Sequence, residues 1–151
     1  MNQSKFDDLT RSFIGLGLSR LWRGDYTALY AEVGTLSHTN DRSGRSRADR
    51  NLYFSWSWRI ESQHSILFGS YSSERRITHG LASLQGLAIE DISVCGRLPE
   101  LRVQLSGGRW ISTFATDKSQ PDWTVSLPDH YCLTVRRGNV ILADGRHPIP
   151  K

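Results

Sequence analysis

Five histidines, two cysteines and sixteen arginines are the residues of this chain whose types could do chemistry, and their spacing limits what that chemistry can be. His38, His64, His79, His130 and His147 include no pair four apart beside a carboxylate, and no Cys-x-x-Cys accompanies them, so no zinc site is expected. His130 and Cys132 stand two apart, the spacing that puts two side chains on one face of a strand, where a base could activate a thiol. No third group that would orient such a pair, and no oxyanion donor, can be named. Gly15-x-Gly17 and Gly107-Gly108 lack the strand-turn-helix setting and the Gly-x-Gly-x-x-Gly spacing that cradle a dinucleotide, so they read as strand start and hairpin turn. No catalytic residue, metal ligand or cofactor is expected.

The arginines carry more information. They outnumber lysines sixteen to three (Lys5, Lys118, Lys151), and the net charge is +4. Selection for a planar fork that grips carboxylates or phosphates would produce that ratio, and so would a GC-rich genome. Placement is more informative than the ratio: Arg42, Arg45, Arg47 and Arg50 share one loop, while Arg75-Arg76 and Arg136-Arg137 are pairs at expected strand ends. With Tyr53 and Arg59 nearby they form a basic face for an acidic protein or a phosphate backbone, or they simply blunt exposed strand ends.

The elements that must position these residues are mostly strands. Leu98 to Leu142 keeps a two-residue apolar period and reads as a meander: Leu101, Val103 and Leu105, a Ser106-Gly107-Gly108 turn, then Trp110, Ser112 and Phe114, then Trp123, Val125 and Leu127, then Tyr131, Leu133 and Val135. Leu52, Phe54, Trp56, Trp58 and Ile60 predict one further continuous strand with all five residues in the core. Trp56, Trp58, Trp110 and Trp123 are in phase with core residues, which favours packing over a stacking platform. Ser4 with Asp7 has the form of a capping box and opens a helix to Phe13; Leu81 and Leu84 fit a second short helix before Gly86. His38 to Arg50 has no apolar residue but Ala48 and is expected to be a mobile loop.

Gly15-Leu16-Gly17-Leu18 returns as Gly86-Leu87-Ala88-Ile89, and each is followed by a slip of parity, at Ser19-Arg20 and at Glu90-Asp91, that predicts a bulge. Leu29, Ala31 and Val33 match Leu101, Val103 and Leu105, and Trp56, Trp58, Ile60, Ile66 and Phe68 match Trp123, Val125, Leu127, Leu133 and Val135. The fold expected is mainly β (α+β): one domain of antiparallel sheets, sandwich or partly open barrel, with two short helices and an internal duplication of residues 4–74 as 75–144. The 151 residues, 38% hydrophobic, suffice for one core and exclude a wholly disordered chain.

No apolar run approaches the roughly 20 residues of a membrane span, and Asp7 and Asp8 interrupt where a signal peptide needs an apolar core. A cytoplasmic protein with reduced thiols is expected. At Gly107 to Phe114, GGRWISTF, and Gln120 to Leu127, QPDWTVSL, the chain resembles small uncharacterised bacterial β-rich proteins, some of which serve as immunity or accessory factors in toxin systems. The resemblance covers the second half and implies no catalytic residue; it departs in charge, since immunity proteins against basic nucleases tend to be acidic. The reading is a non-catalytic binding module, immunity-type or adaptor, offering its Arg-rich loop and strand ends to an acidic protein. A nucleic-acid-binding protein and an uncharacterised enzyme are the alternatives, and the oligomeric state, a homodimer included, is left open.

Overall fold

The computed structural model describes residues 1–38, 46–118 and 123–147. Helix α1 (Gln3–Thr10) runs into a 3-10 turn, Arg11–Phe13, and is followed by β1 (Leu18–Arg23), β2 (Leu29–Val33), β3 (Ser37–His38), β4 (Ser46–Arg47), β5 (Arg50–Phe54), β6 (Trp58–Glu61) and β7 (Ile66–Gly69). Helix α2 (Glu74–Leu84) precedes β8 (Ile89–Cys95), β9 (Glu100–Leu105), β10 (Arg109–Thr113), β11 (Thr124–Ser126), β12 (Tyr131–Arg136) and β13 (Asn139–Asp144). The strands form a six-stranded antiparallel sheet, β1-β2-β5-β11-β12-β13, and a five-stranded one, β8-β9-β10-β6-β7, in a sandwich-like arrangement; β3 and β4 pair with each other. One apolar core between them takes Leu52, Phe54, Trp58, Ile60, Val103, Ile111, Trp123 and Val125, together with Phe6 and Phe13 from the first helical segment and Ile77, Leu81 and Leu84 from α2.

Both helices are capped by local polar side chains. Asn2, rather than Ser4, caps α1 by accepting from the Lys5 backbone N–H at 2.9 Å, because the helix begins one residue before the expected cap. Ser73 caps α2 by accepting from Arg76 N. Each helix ends at a glycine with φ near +86°, Gly15 and Gly86, a conformation that costs other residues about 1–2 kcal/mol.

At these glycines the two sheets meet through backbone hydrogen bonds that repeat with an offset of 71 residues. Gly15 N–H donates to the Ile89 carbonyl at 2.7 Å and Gly86 N–H to the Leu18 carbonyl at 2.8 Å; Leu18 N–H donates to Leu87 O at 2.9 Å and Ile89 N–H to Leu16 O at 2.8 Å. The bulges lie where parity slips, between Leu18 and Arg20 and between Ile89 and Asp91. Beyond them the registers correspond, Leu18 opposite Val33 as Ile89 is opposite Leu105, and Leu21 opposite Ala31 as Ile92 is opposite Val103.

Three expectations are corrected. The run from Leu52 to Ile60 is two strands in different sheets, joined at Ser55–Ser57; Ser55 and Ser57 are buried and Trp56 is 37% exposed. A strand that changes sheet keeps its alternation on either side of the break, so the pattern alone reads as continuous. Trp123 and Trp58 are both buried, and their indole N–H groups donate to Pro99 O at 3.0 Å and Thr27 O at 2.6 Å. The meander is also split, since β9 and β10 belong to one sheet and β11 to β13 to the other. Within it, the three-residue turn Ser106 to Gly108 pairs Leu105 with Arg109 and Val103 with Ile111, so Ile111 is the core residue and Trp110 and Ser112 share the opposite face.

Alanine normally stabilises a helix interior by about 1 kcal/mol over glycine. At Gly80 the added Cβ would fall inside van der Waals contact with the Phe68 ring, so Gly80→Ala lowers the thermal midpoint, measured by circular dichroism, whereas the exposed Thr78→Ala does not.

Candidate functional site

Alternation that sends Leu21, Ala31, Leu52, Val125 and Leu133 into the core puts their neighbours on the outer face of the six-stranded sheet, in two cross-strand rows. One reads Trp22, Tyr30, Tyr53, Thr124, Thr134 and Ile141; the other reads Arg20, Glu32, Asn51, Ser126, Cys132 and Ala143. In the first row the Trp22 and Tyr30 rings stack in parallel with centroids 5.2 Å apart, and Tyr53 follows at 4.9 Å from Tyr30. The Arg20 guanidinium lies 4.7 Å from the centre of the Trp22 ring. Burial, then the neighbouring Tyr53 and Asp25, raises the Tyr30 phenol above its ordinary range.

The β3–β4 hairpin lies against this face. Glu32 is only 5% exposed and accepts the Ala48 backbone N–H at 3.0 Å, which fastens the returning arm of the hairpin across the sheet. Between the hairpin and the β11–β12 turn lies a cavity of about 620 Å³ with Asn51, Ser126 and Cys132 on its floor and Arg47, His130 and Arg146 around it. A second hollow of about 230 Å³, lined by Arg20, Trp22, Tyr30 and Glu32, shares Arg47 and Asn51 with the first. The two hollows lie side by side across the sheet, with Arg47 and Asn51 between them, and are together called the groove below.

Its ionic character is mixed. Arg20, Arg47 and Arg146 face Glu32 and Asp49, and Arg146 grips Asp144 through Nε and a terminal nitrogen at 3.0 and 2.8 Å. Those hydrogen bonds hold the Asp144 carboxyl far below the usual carboxylate range. At Cys132, burial first and the negative Asp144 second push the thiol above its ordinary value, the reverse of what a nucleophilic cysteine needs. Cys95 and Cys132 are both free thiols.

The structure distributes the arginines expected to form one basic face. Arg42 and Arg45 lie outside the described residues, as does the middle of the loop expected to be mobile. The ends of that loop are ordered as β3, β4 and the start of β5. Arg47 is in the groove, but Arg50 turns to the first helical segment, donating to Ser12 Oγ at 3.0 Å above the Phe13 ring. Arg75 and Arg76 are in the first turn of α2, not at a strand end, and Arg76 donates to Leu67 O at 2.6 Å. Arg136 and Arg137 are at the β12–β13 turn, with Arg137 at φ +50°. Tyr53 and Arg59 occupy the outer faces of different sheets, so they do not share a surface. Trp22, Tyr30, Glu32 and Asn51 were not singled out in the sequence; the period-two pattern of β2 and β5 placed them outward, but only the cross-strand registers show that they line up.

Comparison with protein-family models, curated proteins and solved structures gave no match. Among the described residues no three His, Cys, Asp or Glu side chains gather to hold a metal, and no helix is long and apolar enough to cross a membrane.

The direction of the Cys132 shift has a measurable consequence. Alkylation by iodoacetamide, followed by mass spectrometry at pH 7, labels Cys132 more slowly than a free cysteine in solution, and the rate climbs only as pH passes above the ordinary thiol range.

Proposed function

We propose that the protein is a non-catalytic binding module, of immunity or adaptor type, that recognises a partner protein through the groove on the outer face of the six-stranded sheet. One observation carries the reading: the Trp22–Tyr30–Tyr53 stack runs beside Arg20 and Arg47 along a preformed concavity. Trp, Tyr and Arg are the residues on which protein interfaces concentrate their binding energy, because they bury large area at small entropic cost and offer polar tips. The acids Glu32, Asp49 and Asp144 within or beside the groove favour a protein with charges of both signs over a nucleic-acid backbone, whose phosphates they would repel. Carboxylates of that partner would meet Arg20 and Arg47. The raised Cys132 thiol speaks against an acyl-transfer enzyme in the same groove. Reduced thiols are compatible with a cytoplasmic setting, which is part of the proposal.

We also propose that residues 4–74 and 75–144 descend from one duplicated segment. What supports this is the repeated junction at Gly15 and Gly86, the matching bulges and the paired carbonyl bonds of Trp58 and Trp123.

The test of the binding reading is affinity capture from the native lysate, with the captured protein then titrated against variants. Tyr53→Ala is expected to weaken the complex by about 2 kcal/mol, the scale of an interface anchor. Arg47→Lys weakens it less, by losing the fork while keeping the charge. Arg75→Lys with Arg76→Lys leaves it unchanged. Affinity that is indifferent to Tyr53 and Arg47, or that is lost with Cys132→Ser or His130→Ala alone, overturns the reading.

A further inference from the structure

The opposite side of the molecule carries a second arrangement that the groove does not use. Across the outer face of the five-stranded sheet one row reads Gly69, Arg59, Ser112, Arg102 and Ser93. Ser112 is thus directly opposite Arg59 on β6 and Arg102 on β9, with the two arginine backbones about 10 Å apart, two strand spacings. Its neighbour Ile111 is fully buried in the core, so alternation sends the Ser112 side chain to the outer face. Ser112 is nevertheless only 5% exposed, and its hydroxyl has no hydrogen-bond partner. A hydroxyl withdrawn from water with nothing in exchange is a cost to the fold, and such a group marks a place where something else completes the bonding.

We propose that Arg59, Ser112 and Arg102 form a binding site for a phosphoryl group carried beside a planar ring, as in a nucleotide. A phosphoryl group has enough oxygens to accept from two guanidinium groups and a hydroxyl together, which the two oxygens of a carboxylate do less well. Arg102 is exposed and has no hydrogen-bond or ionic partner among the described residues. Arg59 is oriented by a salt bridge from its Nε to Glu61, two residues along the same strand and on the same face, at 2.8 Å, and its guanidinium lies 5.5 Å from the Phe114 ring centre; its terminal nitrogens are left to meet an anion. The row around the arginines is otherwise glycine and serine, so nothing bulky stands between them. At Gly69 a Cβ would meet the Trp58 carbonyl at 2.8 Å and the Arg59 Cα and Cβ at 3.4 Å, which holds that position to glycine. Trp110 and Phe114, two residues to either side of Ser112, are half-buried; the Phe114 ring carries the Arg59 guanidinium, which leaves Trp110 as the ring to stack beside the anion. The nearby Glu100 is occupied, accepting from Thr113 Oγ1 and from the Ala115 N–H at 2.7 Å, and does not compete for the arginines.

The experiment is titration of the full chain at low salt with inorganic phosphate, adenosine monophosphate and a short oligothymidine, followed by calorimetry and by amide NMR shifts of β6, β9 and β10. Phosphate and the mononucleotide are expected to compete for one site, with the mononucleotide tighter. Arg102→Ala weakens binding by about tenfold or more, as expected for a charge-assisted fork. Ser112→Ala weakens it severalfold while raising the thermal midpoint, because an unpaired buried hydroxyl is removed; a merely structural serine would not couple these two changes. Tyr53→Ala, on the opposite sheet, leaves it untouched, so this site and the groove fail or stand separately. An oligonucleotide that binds far more tightly than the mononucleotide identifies a nucleic-acid strand as the source of the phosphoryl group, and equal binding identifies a free nucleotide. Absence of phosphate binding, or binding that is the same in Arg102→Ala and Ser112→Ala as in the parent, overturns the proposal; mononucleotide no tighter than phosphate removes the ring from it.

Discussion

The reciprocal backbone hydrogen bonds at Gly15 and Gly86 are the constraint on which the rest of the architecture rests. Each glycine ends a helical segment at positive φ and turns its N–H onto a carbonyl of the other sheet, Ile89 or Leu18. Because the bonds are returned in both directions, β1 and β8, which would be exposed edges of their sheets, start from a shared seam that includes the antiparallel bridge of Gly17 with Ala88. That removes part of a surface on which unpaired strand edges would invite aggregation. The seam also sets helix placement: α1 packs against β8 of the five-stranded sheet and α2 against β1 of the six-stranded one.

From that seam the two outer faces follow by alternation, and each carries a different surface. On the six-stranded sheet the rows bring aromatic rings together and place Arg20 and Arg47 along them, while Glu32 is spent on holding the β3–β4 hairpin. A buried carboxylate that fastens a loop fixes the wall of a groove before any partner arrives, which reduces the ordering cost of binding. On the five-stranded sheet the central position is a serine between two arginines, with the aromatic rings displaced along the strand rather than across it. The difference arises at β5 and β10, where Tyr53 and Ser112 each follow a core residue, Leu52 and Ile111.

Features set by local geometry were legible in the sequence. A parity slip costs one residue and leaves a mark in the pattern, so both bulges could be placed at Ser19-Arg20 and Glu90-Asp91. Helices ending at Gly15 and Gly86, and most strands, were readable for the same reason. What depends on distant partners was not: a period of two looks alike in a strand that stays in its sheet and in one that leaves it at Ser55, and Trp110 was assigned to the core because a turn of three residues changes which face pairs with Val103. Of the expected partner-binding residues only Arg47 and Tyr53 belong to the groove face, and the His130 and Cys132 pair, weighed in the sequence as a base and thiol, lines it as well. Arginine clustering along the chain gave no warning that Arg50 and Arg76 are used to tie elements together, since their partners Ser12 and Leu67 lie 38 and 9 residues away.

The chain crosses between sheets at Ser55–Ser57 and again between β10 and β11, so each sheet is completed by strands from both units. Neither unit holds a whole core: residues 4–74 supply β1, β2 and β5 to one sheet and β6 and β7 to the other, and the pairing of β5 with β11 and of β6 with β10 closes the gaps. The two stretches are joined through Ser70 to Ser73, a turn closed by Ser72 N–H donating to the Gly69 carbonyl and Gly69 N–H donating to Ser72 Oγ, both at 3.0 Å. Straightening that turn would break both bonds and pull Arg76 from the Leu67 carbonyl, so a few local hydrogen bonds decide that the later strands pair with the earlier strands of the same chain.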